Sequence, residues 1–527
     1  MSRSADPART AAATALPTRV APPAGVELPP RRVLLLLTIA VLAVGCIGYL
    51  RMLPSIADGQ YMPAWSDEFA YYQNAKAYAE NGRMEAAIIL EESVSRIGEF
   101  DAHGFAYTLL HGVVAKVFGN HPLNIILANV FFLLAAVVLV VLWRMPTPDR
   151  LTIITCLTLY FMVPIWLFTY MQETMQLAFA TGAGLLLLSI YRTESPARRR
   201  THVILLLGLL LVASMFRPSW LMCTIALVPL ARTRRQLVLC SLGFIIALVA
   251  SFGYVYLFLA PYPYGFLSKG LAALRTGEVL RFFGLLAGNL ATNLHDFFLT
   301  SSVYRPFGAA HSAFTRSGIH VVSFASKYIL LGLLALLCWR GFRHRDRFRL
   351  GVALFVLLNL ASLLLFYEAK DWPPYRVLAP MFYISVIALA SSVPVRTVLP
   401  VLLLVMLPKV LNYSANCVIE PHRAVAARYR DNPAVLREFE SVRYRITDRR
   451  MSTVLVSRRL YVEGDIPVLA LPSTNAAGYP IRYTFNIHGV DLSLKKRGFV
   501  DYLLLPAEAY ADGITDDAFS LRLERLR

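Results

Sequence analysis

Long apolar runs alternate with short polar connections along most of this chain. The runs cover residues 33–50, 121–143, 151–170, 174–191, 202–216, 219–230, 236–260, 318–339, 350–367, 376–393 and 397–411. Two further stretches, 105–118 and 281–300, are short or interrupted by polar side chains, so their crossing stays open. Because a bilayer crossing needs about 20 residues, the pattern predicts an all-α polytopic membrane protein with about 11–13 transmembrane helices.

The composition excludes several soluble classes of protein. Of the 527 residues, 57% are hydrophobic and 16% are charged, whereas average soluble domains are about 25% charged. The net charge of +19 would suggest nucleic acid as a partner of a soluble protein. Here the Lys and Arg residues cluster between apolar runs, as membrane topology signals do. We therefore expect membrane lipids, and no nucleic acid, among the partners.

Arginine clusters predict the orientation in the membrane. Short loops rich in Lys and Arg stay in the cytoplasm, and such clusters occur at 198–200, 232–235 and 340–349. The loops 53–104 and 261–317 and the tail 412–527 then lie outside, and residues 1–30 form a disordered cytoplasmic tail. We predict a transmembrane catalytic module over 31–411, located in the cell (inner) membrane with its active site on the extracytoplasmic side.

The tail 412–527 differs in character from the membrane module. It carries 14 of the 33 acidic residues. Strand-like alternation occurs at 453–461, 466–471, 480–487 and 501–505, which predicts a small C-terminal α+β domain.

Acidic residues concentrate in the first external loop. Nine lie between residues 58 and 101, whereas the much longer stretch 104–411 holds eight. Within this loop, residues 65–82 (WSDEFAYYQNAKAYAENG) predict a helix with Asp67 and Glu68 in its first turn. One face would lie along the membrane surface, and it carries Tyr71, Ala75 and Tyr78. The two carboxylates either complement the helix dipole or provide a general base for an acceptor hydroxyl.

Two other acidic or histidine groups are candidates for ligand binding. Glu99, Asp101 and His103 precede the stretch 105–118. Carboxylates with a histidine suit a divalent cation, but scattered charges of a solvated loop give the same pattern, and the spacing does not decide. His295 lies near the end of an ambiguous segment and is either a ligand or an interfacial polar residue.

Two arginines stand where an anion could be bound at the membrane surface. Arg217 lies in MFRPSW at the predicted tip of a hairpin, and Arg376 in DWPPYRVLAP at the start of a helix. An arginine at membrane depth usually has a partner or a function, and its planar fork suits a phosphate headgroup. The alternative is simple snorkelling to the interface.

These motifs resemble the GT-C superfamily of integral-membrane glycosyltransferases, which use polyprenyl-phosphate sugars. The superfamily includes protein O-mannosyltransferases, aminoarabinose transferases and rhizobial galacturonosyltransferases. DEFAYYQNAKAYAENG is similar to its Asp-Glu-led helix, and EFDAHGFAYTLLHGVVAKVFG to the following segment, with His103-Gly104 where proline is frequent. MFRPSW resembles its hairpin tip, and YRVLAP its Arg-Tyr-x-x-Pro element with the order of Tyr and Arg reversed. The likeness covers roughly 32–411 in architecture.

The resemblance implies an inverting transferase with a polyprenyl-phosphate sugar donor and a lipid, glycan or protein acceptor. Asp67 would be the catalytic base with Glu68 beside it, and Arg217 and Arg376 would bind the donor phosphate. Metal or acceptor binding would fall to Glu99, Asp101, His103 or His295, so a divalent metal ion is a candidate cofactor.

Two other functions fit parts of the pattern. A secondary transporter usually carries ionisable residues at the bilayer midplane, where this membrane module offers little besides Glu173. An O-antigen ligase or polymerase would also use a lipid-linked donor, but it would not need the Asp-Glu helix. The transferase accounts for more of the constellation than either alternative.

Overall fold

The structure is a computed structural model that describes residues 50, 52–57, 66–82, 84, 88–90, 104–258, 266–295, 318–366, 375–420, 423, 427, 433–456, 470–485, 500–506 and 521–526. Its helices are α1 (Leu53–Ala57), α2 (Ser66–Asn81), α3 (Phe105–Phe118), α4 (Pro122–Leu142), α5 (Thr147–Leu159), α6 (Met162–Trp166), α7 (Glu173–Arg192), α8 (Pro196–Phe216), α9 (Arg234–Phe258), α10 (Phe266–Arg275), α11 (Val279–His295), α12 (Gly318–Arg343), α13 (Arg347–Phe366), α14 (Tyr375–Leu389), α15 (Val393–Ser414) and α16 (Pro433–Arg445). A 3-10 helix spans Pro218–Leu227, and a π-helical turn, Ala415–Ile419, extends α15. The strands are β1 (Ile88–Leu90), β2 (Ser452–Val456), β3 (Ile481–Phe485), β4 (Tyr502–Pro506) and β5 (Leu521–Arg525).

The membrane module is built from apolar helices. Among the described residues, six helices are long and apolar enough to cross a membrane: Pro122–Leu142, Glu173–Arg192, Pro196–Phe216, Arg234–Val255, Arg347–Phe366 and Val393–Asn412. The prediction of a helical polytopic membrane protein with a small sheet near its C-terminus is confirmed. The predicted cytoplasmic tail and the first apolar run, up to residue 49, lie outside the described residues.

The three arginine clusters meet at one end of the helix bundle. Arg232 Nη2 donates to the carbonyl of Thr193 at 2.8 Å, which joins the α7–α8 connection to the start of α9. Arg199 and Arg347 donate to carbonyls of the adjoining turn at 230–231. The guanidinium groups therefore cap chain ends that the helices leave unpaired. We call this the basic end.

The opposite end collects those candidate functional residues that the structure describes, and we call it the site end. The 21 residues of α8 rise about 1.5 Å each, which is enough to cross from the basic end to Arg217. Helix α15 starts at the basic end, where Arg396 pairs with Asp149. It finishes at the site end, where Ser414 Oγ donates to Pro164 O at 3.2 Å.

The run 151–170 is interrupted, contrary to the prediction of one continuous span. Helix α5 ends at Leu159 and α6 covers only Met162–Trp166. Pro164, inside α6, lacks an N–H and cannot donate to the carbonyl of Tyr160, so one helical hydrogen bond across the break is missing. The Tyr160 ring instead stacks on Phe382 of α14, with ring centroids 4.1 Å apart.

The run 219–230 is a 3-10 helix rather than an α-helix. Ten residues of α-helix would rise about 15 Å, whereas ten of 3-10 helix rise about 20 Å. The tighter helix therefore carries a short segment further back towards the basic end. Gly351 of α13 makes room for it, because a Cβ at that position would lie 2.5 Å from the carbonyl oxygen of Ala226.

The sequence left undecided whether the stretch 105–118 crosses the membrane. In the structure this stretch is helix α3, which packs along α2 at the site end. Tyr107, near its start, donates its hydroxyl to Tyr170 O at 2.5 Å. Just beyond its C-terminus, Asn120 Nδ2 donates to the hydroxyl of Tyr72 in α2 at 3.0 Å. Both ends of α3 thus contact residues of the same end of the bundle, and α3 does not cross.

Helix α11, the other open segment, lies across the end of α13. Asn289 and Asn293, one turn apart, donate through Nδ2 to the carbonyls of Leu365 and Leu364, each at 2.8 Å. These carbonyls belong to the last turn of α13 and have no partner within the helix. The amides therefore fasten α11 to the site end.

The C-terminal unit holds a five-stranded sheet in the order β1-β3-β2-β4-β5. Its pairs are parallel except for β4 and β5, which are antiparallel. Helix α16 covers the sheet, and Phe439 and Val442 share an apolar core with Val454 and Tyr483. The predicted strand at 466–471 is wrong at its described end, because 470–471 form a turn.

The first external loop is part of the same unit as the tail. Strand β1 of that loop pairs in parallel with β3, with Ile88 opposite Tyr483. Lys76 of α2 donates to Leu471 O at 3.0 Å, and Ser473 bonds Glu80. The loop and the tail therefore lie on the same side of the bundle.

Candidate functional site

The first turn of α2 is anchored to the membrane module through Glu68. Its side chain is fully buried, and Oε1 accepts a hydrogen bond of 2.7 Å from the backbone N–H of Tyr170, just before α7. Asp67 precedes it in the same turn, and the side chain of Asp67 lies outside the described ones. Glu68, predicted as part of the catalytic pair, thus fixes the position of the turn that carries Asp67.

Helix α2 is enclosed on both sides, whereas the sequence predicted that it lies along the membrane surface. Tyr71 packs on Tyr107 of α3 with ring centroids 4.4 Å apart, and Tyr78 lies over Gly112. On its other side the helix faces the sheet, and burial there lowers the pKa of the Lys76 ammonium. The apolar face therefore meets α3 rather than lipid.

A line of hydrogen bonds connects α2 to the 3-10 helix. Gln172 Nε2 donates to the hydroxyl of Tyr71 at 2.8 Å. Gln176 Nε2 donates to Gln172 Oε1 at 3.1 Å, and the indole N–H of Trp220 donates to Gln176 Oε1 at 2.5 Å. All four side chains are buried. Because the amide groups are bonded in series, they fix α2, α7 and the 3-10 helix relative to one another.

Arg217, predicted at the tip of a hairpin, lies between α8 and the 3-10 helix and has an ionic partner. Its Nη2 lies 2.7 Å from Oε1 of Glu173, at the start of α7. Sequence reasoning noted Glu173 only as an isolated acid and did not assign it to the site. A buried charge in an apolar helix is a usable signal, but the pairing across 44 residues needs the structure.

The other predicted site residues fall into two groups. Arg376, in the first turn of α14, is partly exposed at the site end, and His295, the last residue of α11, is exposed. Glu99, Asp101 and His103 lie outside the described residues.

The backbone at position 104, directly after His103, requires a glycine. Gly104 has φ +83°, and a Cβ on it would lie 3.0 Å from both Met215 O and the Tyr254 hydroxyl. Proline is locked near φ −65°, so it could not adopt this backbone. Glycine rather than proline at this position thus follows from the positive φ and the close approach of α3 to α8 and α9.

The site end therefore combines a fixed acidic turn with a partly buried guanidinium. Within the described part of the chain, no group of three or more His, Cys, Asp and Glu side chains is arranged to hold a metal ion. The acidic turn and the guanidinium lie at the end of the bundle opposite the basic end.

Solved structures of two other proteins are similar to this chain at low sequence identity. The chain is similar to the crystal structure of ArnT from Cupriavidus metallidurans bound to undecaprenyl phosphate, with 12% identity and a TM-score of 0.46 over 90% of this chain and 93% of that chain. It is also similar to the apo state of the same protein, with 11% identity and a TM-score of 0.45 over 89% and 94%. The Archaeoglobus fulgidus oligosaccharyltransferase complex with Zn and sulfate gives 10% identity and a TM-score of 0.47 over 88% of this chain and 67% of that chain.

No protein-family model matches the sequence, and no curated protein matches it.

Proposed function

We propose that this chain is an inverting glycosyltransferase that moves a sugar from a polyprenyl-phosphate donor to an acceptor hydroxyl at the site end. One pair of contacts supports the proposal above the others. Glu68 holds the backbone of Tyr170 at 2.7 Å, and three residues later Glu173 holds Arg217, also at 2.7 Å. A single short turn thus links the helix that carries Asp67 to the cation proposed for the donor phosphate.

Each group has a defined part in the proposed reaction. The acceptor oxygen forms a bond to the anomeric carbon while the bond from that carbon to the phosphate oxygen breaks. Asp67 takes the hydroxyl proton, and the polyprenyl phosphate departs with the bonding electrons. Because the leaving phosphate gains negative charge, the fixed cations Arg217 and Arg376 stabilise the transition state more than the bound donor.

The site end is proposed to face the outside of the cell membrane. The basic end gathers the clusters at 198–200, 232–235 and 340–349, and Arg-rich short loops stay in the cytoplasm. Nucleotide sugars are not expected outside the cytoplasm, so a transferase facing outward needs a lipid-carried donor. The isoprenoid chain would lie on apolar helix surfaces, and the acceptor would reach α2 next to the C-terminal unit.

The proposal that a divalent metal ion is bound depends on residues outside those that the structure describes. Glu99, Asp101 and His103 offer suitable oxygen and nitrogen donors for such an ion. It would supply a positive charge near the acceptor or the phosphate. Treatment with a chelator, followed by addition of single metal ions, tests this independently of the roles given to Asp67 and Arg217.

A donor screen tests the function directly. The purified protein in nanodiscs is incubated with a panel of polyprenyl-phosphate sugars and with nucleotide sugars as the contrasting donors. We expect transfer from a lipid-linked donor, and Asp67→Asn lowers turnover about 10²–10⁴-fold while donor binding is largely retained, because the proton acceptor is lost.

Glu80→Gln is the matched control, because Glu80 is an acid at the far end of the same helix, next to Ser473. Its turnover should stay near that of the wild type. Unchanged turnover in Asp67→Asn would place the base elsewhere, and transfer from nucleotide sugars alone would contradict the proposal.

A further inference from the structure

The ion pair of Glu173 and Arg217 leaves a polar atom of each side chain without a hydrogen-bond partner among the described residues. Oε1 and Nη2 are 2.7 Å apart, whereas Oε2 of Glu173 and Nη1 of Arg217 are buried without a hydrogen-bond partner in the described part of the chain. The Glu173 side chain is 1% exposed and that of Arg217 is 16% exposed. A buried ion pair offsets the loss of water only when its remaining polar atoms are also bonded. The charged donor Nη1 is suited to an oxygen atom of an anion.

The surroundings of this pair favour an anion attached to an apolar chain. The indole N–H of Trp220 is already bonded to Gln176, so it does not compete for the anion. The ring centroids of Phe179 and Phe216 lie 5.6 Å apart, next to the indole of Trp220. On α8, just before Arg217, the side chains of Leu211, Val212 and Met215 are exposed. A phosphate at Nη1 would thus have an apolar surface next to it for a lipid tail.

The effect of the Glu173 carboxylate on a bound phosphate depends on the negative charge of that phosphate. A sugar-phosphate diester carries one negative charge, whereas the released phosphate monoester carries about 1.5 to 2 near neutral pH. The Glu173 carboxylate lies against the same guanidinium and repels both, and it repels the more highly charged product more strongly.

We propose that Glu173 is a positioning residue that holds the guanidinium of Arg217 through Nη2, leaves Nη1 for the lipid phosphate, and weakens the hold on the released polyprenyl phosphate. The proposal rests on the proposed function for the identity of donor and product. It concerns the phosphate-binding half of the site and assigns no proton transfer to Glu173.

The test compares lipid phosphates that differ in charge. Binding of undecaprenyl phosphate and of its methyl ester is measured by titration of the full-length protein in nanodiscs, with inorganic phosphate as a competitor. Glu173→Gln keeps the size and the oxygen that faces Arg217 but removes the charge. We expect Glu173→Gln to bind the monoester roughly 10- to 100-fold more tightly than the wild type does. For the methyl ester, the gain in affinity should be at least roughly 3-fold smaller.

Three further variants separate this role from a general effect on folding. Glu173→Asp keeps the charge and should retain the wild-type preference between the two lipids. Arg217→Gln should lose binding of both. Asp149→Asn removes the acid of an ion pair far from Glu173, with Arg396 at the basic end, and should leave both affinities unchanged. Thermal unfolding of each variant confirms that the protein is folded.

The opposite results would overturn the proposal. Weaker binding in Glu173→Gln, or an equal change for monoester and diester, means that Glu173 only stabilises the fold. Displacement of the lipid by millimolar inorganic phosphate would show that the apolar chain is not recognised. If the expected affinities are found but no sugar is transferred, the role of Glu173 in lipid-phosphate binding stands and the transferase proposal fails. If sugar is transferred while Glu173→Gln binds the lipid phosphates more weakly, the transferase proposal stands and the role of Glu173 in lipid-phosphate binding fails.

Discussion

Replacing Gly112 by alanine should push α2 and α3 apart. A Cβ at this position would lie 2.4 Å from Cδ1 and 2.9 Å from Cβ of Tyr78. Rotation of the ring cannot relieve the contact with Tyr78 Cβ, so the two helices must separate by about 1 Å to reach ordinary contact distance. Overpacking of this kind costs about 1–3 kcal/mol, partly offset by the advantage of about 1 kcal/mol that alanine has over glycine inside a helix.

Gly208→Ala is the matched control for helix propensity. Gly208 lies inside α8, and a Cβ there would have no heavy atom within 4 Å. It should therefore be neutral or slightly stabilising, and Gly112→Ala should be about 1–3 kcal/mol less stable than this control. Thermal unfolding in detergent gives the order of the two variants.

The same substitution should also lower activity. Helix α2 carries Asp67, and a displacement of about 1 Å at a reacting group can lower a rate about 10²-fold. Transfer by Gly112→Ala is therefore measured well below its unfolding temperature, beside Gly208→Ala. Equal stability and equal turnover of the two variants would refute the close packing of α2 on α3.

Two further predictions concern other parts of the molecule. Gly351→Ala should destabilise the protein by about 1–3 kcal/mol, because its Cβ would lie 2.5 Å from a backbone oxygen. Gly332→Ala, which would meet nothing within 4 Å, is the control, and equal unfolding temperatures would contradict the packing of α13 on the 3-10 helix. In a background without native cysteines, Ala477→Cys should react with a membrane-impermeant reagent on intact cells and Ser195→Cys should not. Both positions are exposed, at opposite ends of the bundle, so labelling of Ser195→Cys alone would reverse the proposed orientation.

The helical membrane module could be predicted from the sequence because each apolar run carries its own signal. A bilayer-spanning helix satisfies its backbone hydrogen bonds internally and needs only length and apolar side chains. The bounds of α4, α7 and α9 accordingly follow the apolar runs closely. The clustering of the arginines at one end is local information of the same kind, because each short loop is read separately.

The predictions that failed concern backbone geometry within apolar runs. The break between α5 and α6 precedes Pro164, and the 3-10 helix begins at Pro218. The composition of the two apolar runs does not distinguish these conformations from a continuous α-helix. Periodicity also predicted that α2 lies on the membrane surface. An amphipathic face shows that a helix is covered on one side, but it does not show whether lipid or another helix covers it.

Sequence alone determined that this is a polytopic membrane protein with an acidic first loop, and it singled out Asp67, Glu68, Arg217 and Arg376. Only the tertiary structure decided which charges meet. Glu173 and Arg217 are 44 residues apart in sequence, and Glu68 and Tyr170 are 102 apart. Local sequence patterns report how a segment satisfies its own backbone and which face it buries. The partner of a buried charge depends instead on how distant segments pack, so it becomes known only when the chain is folded.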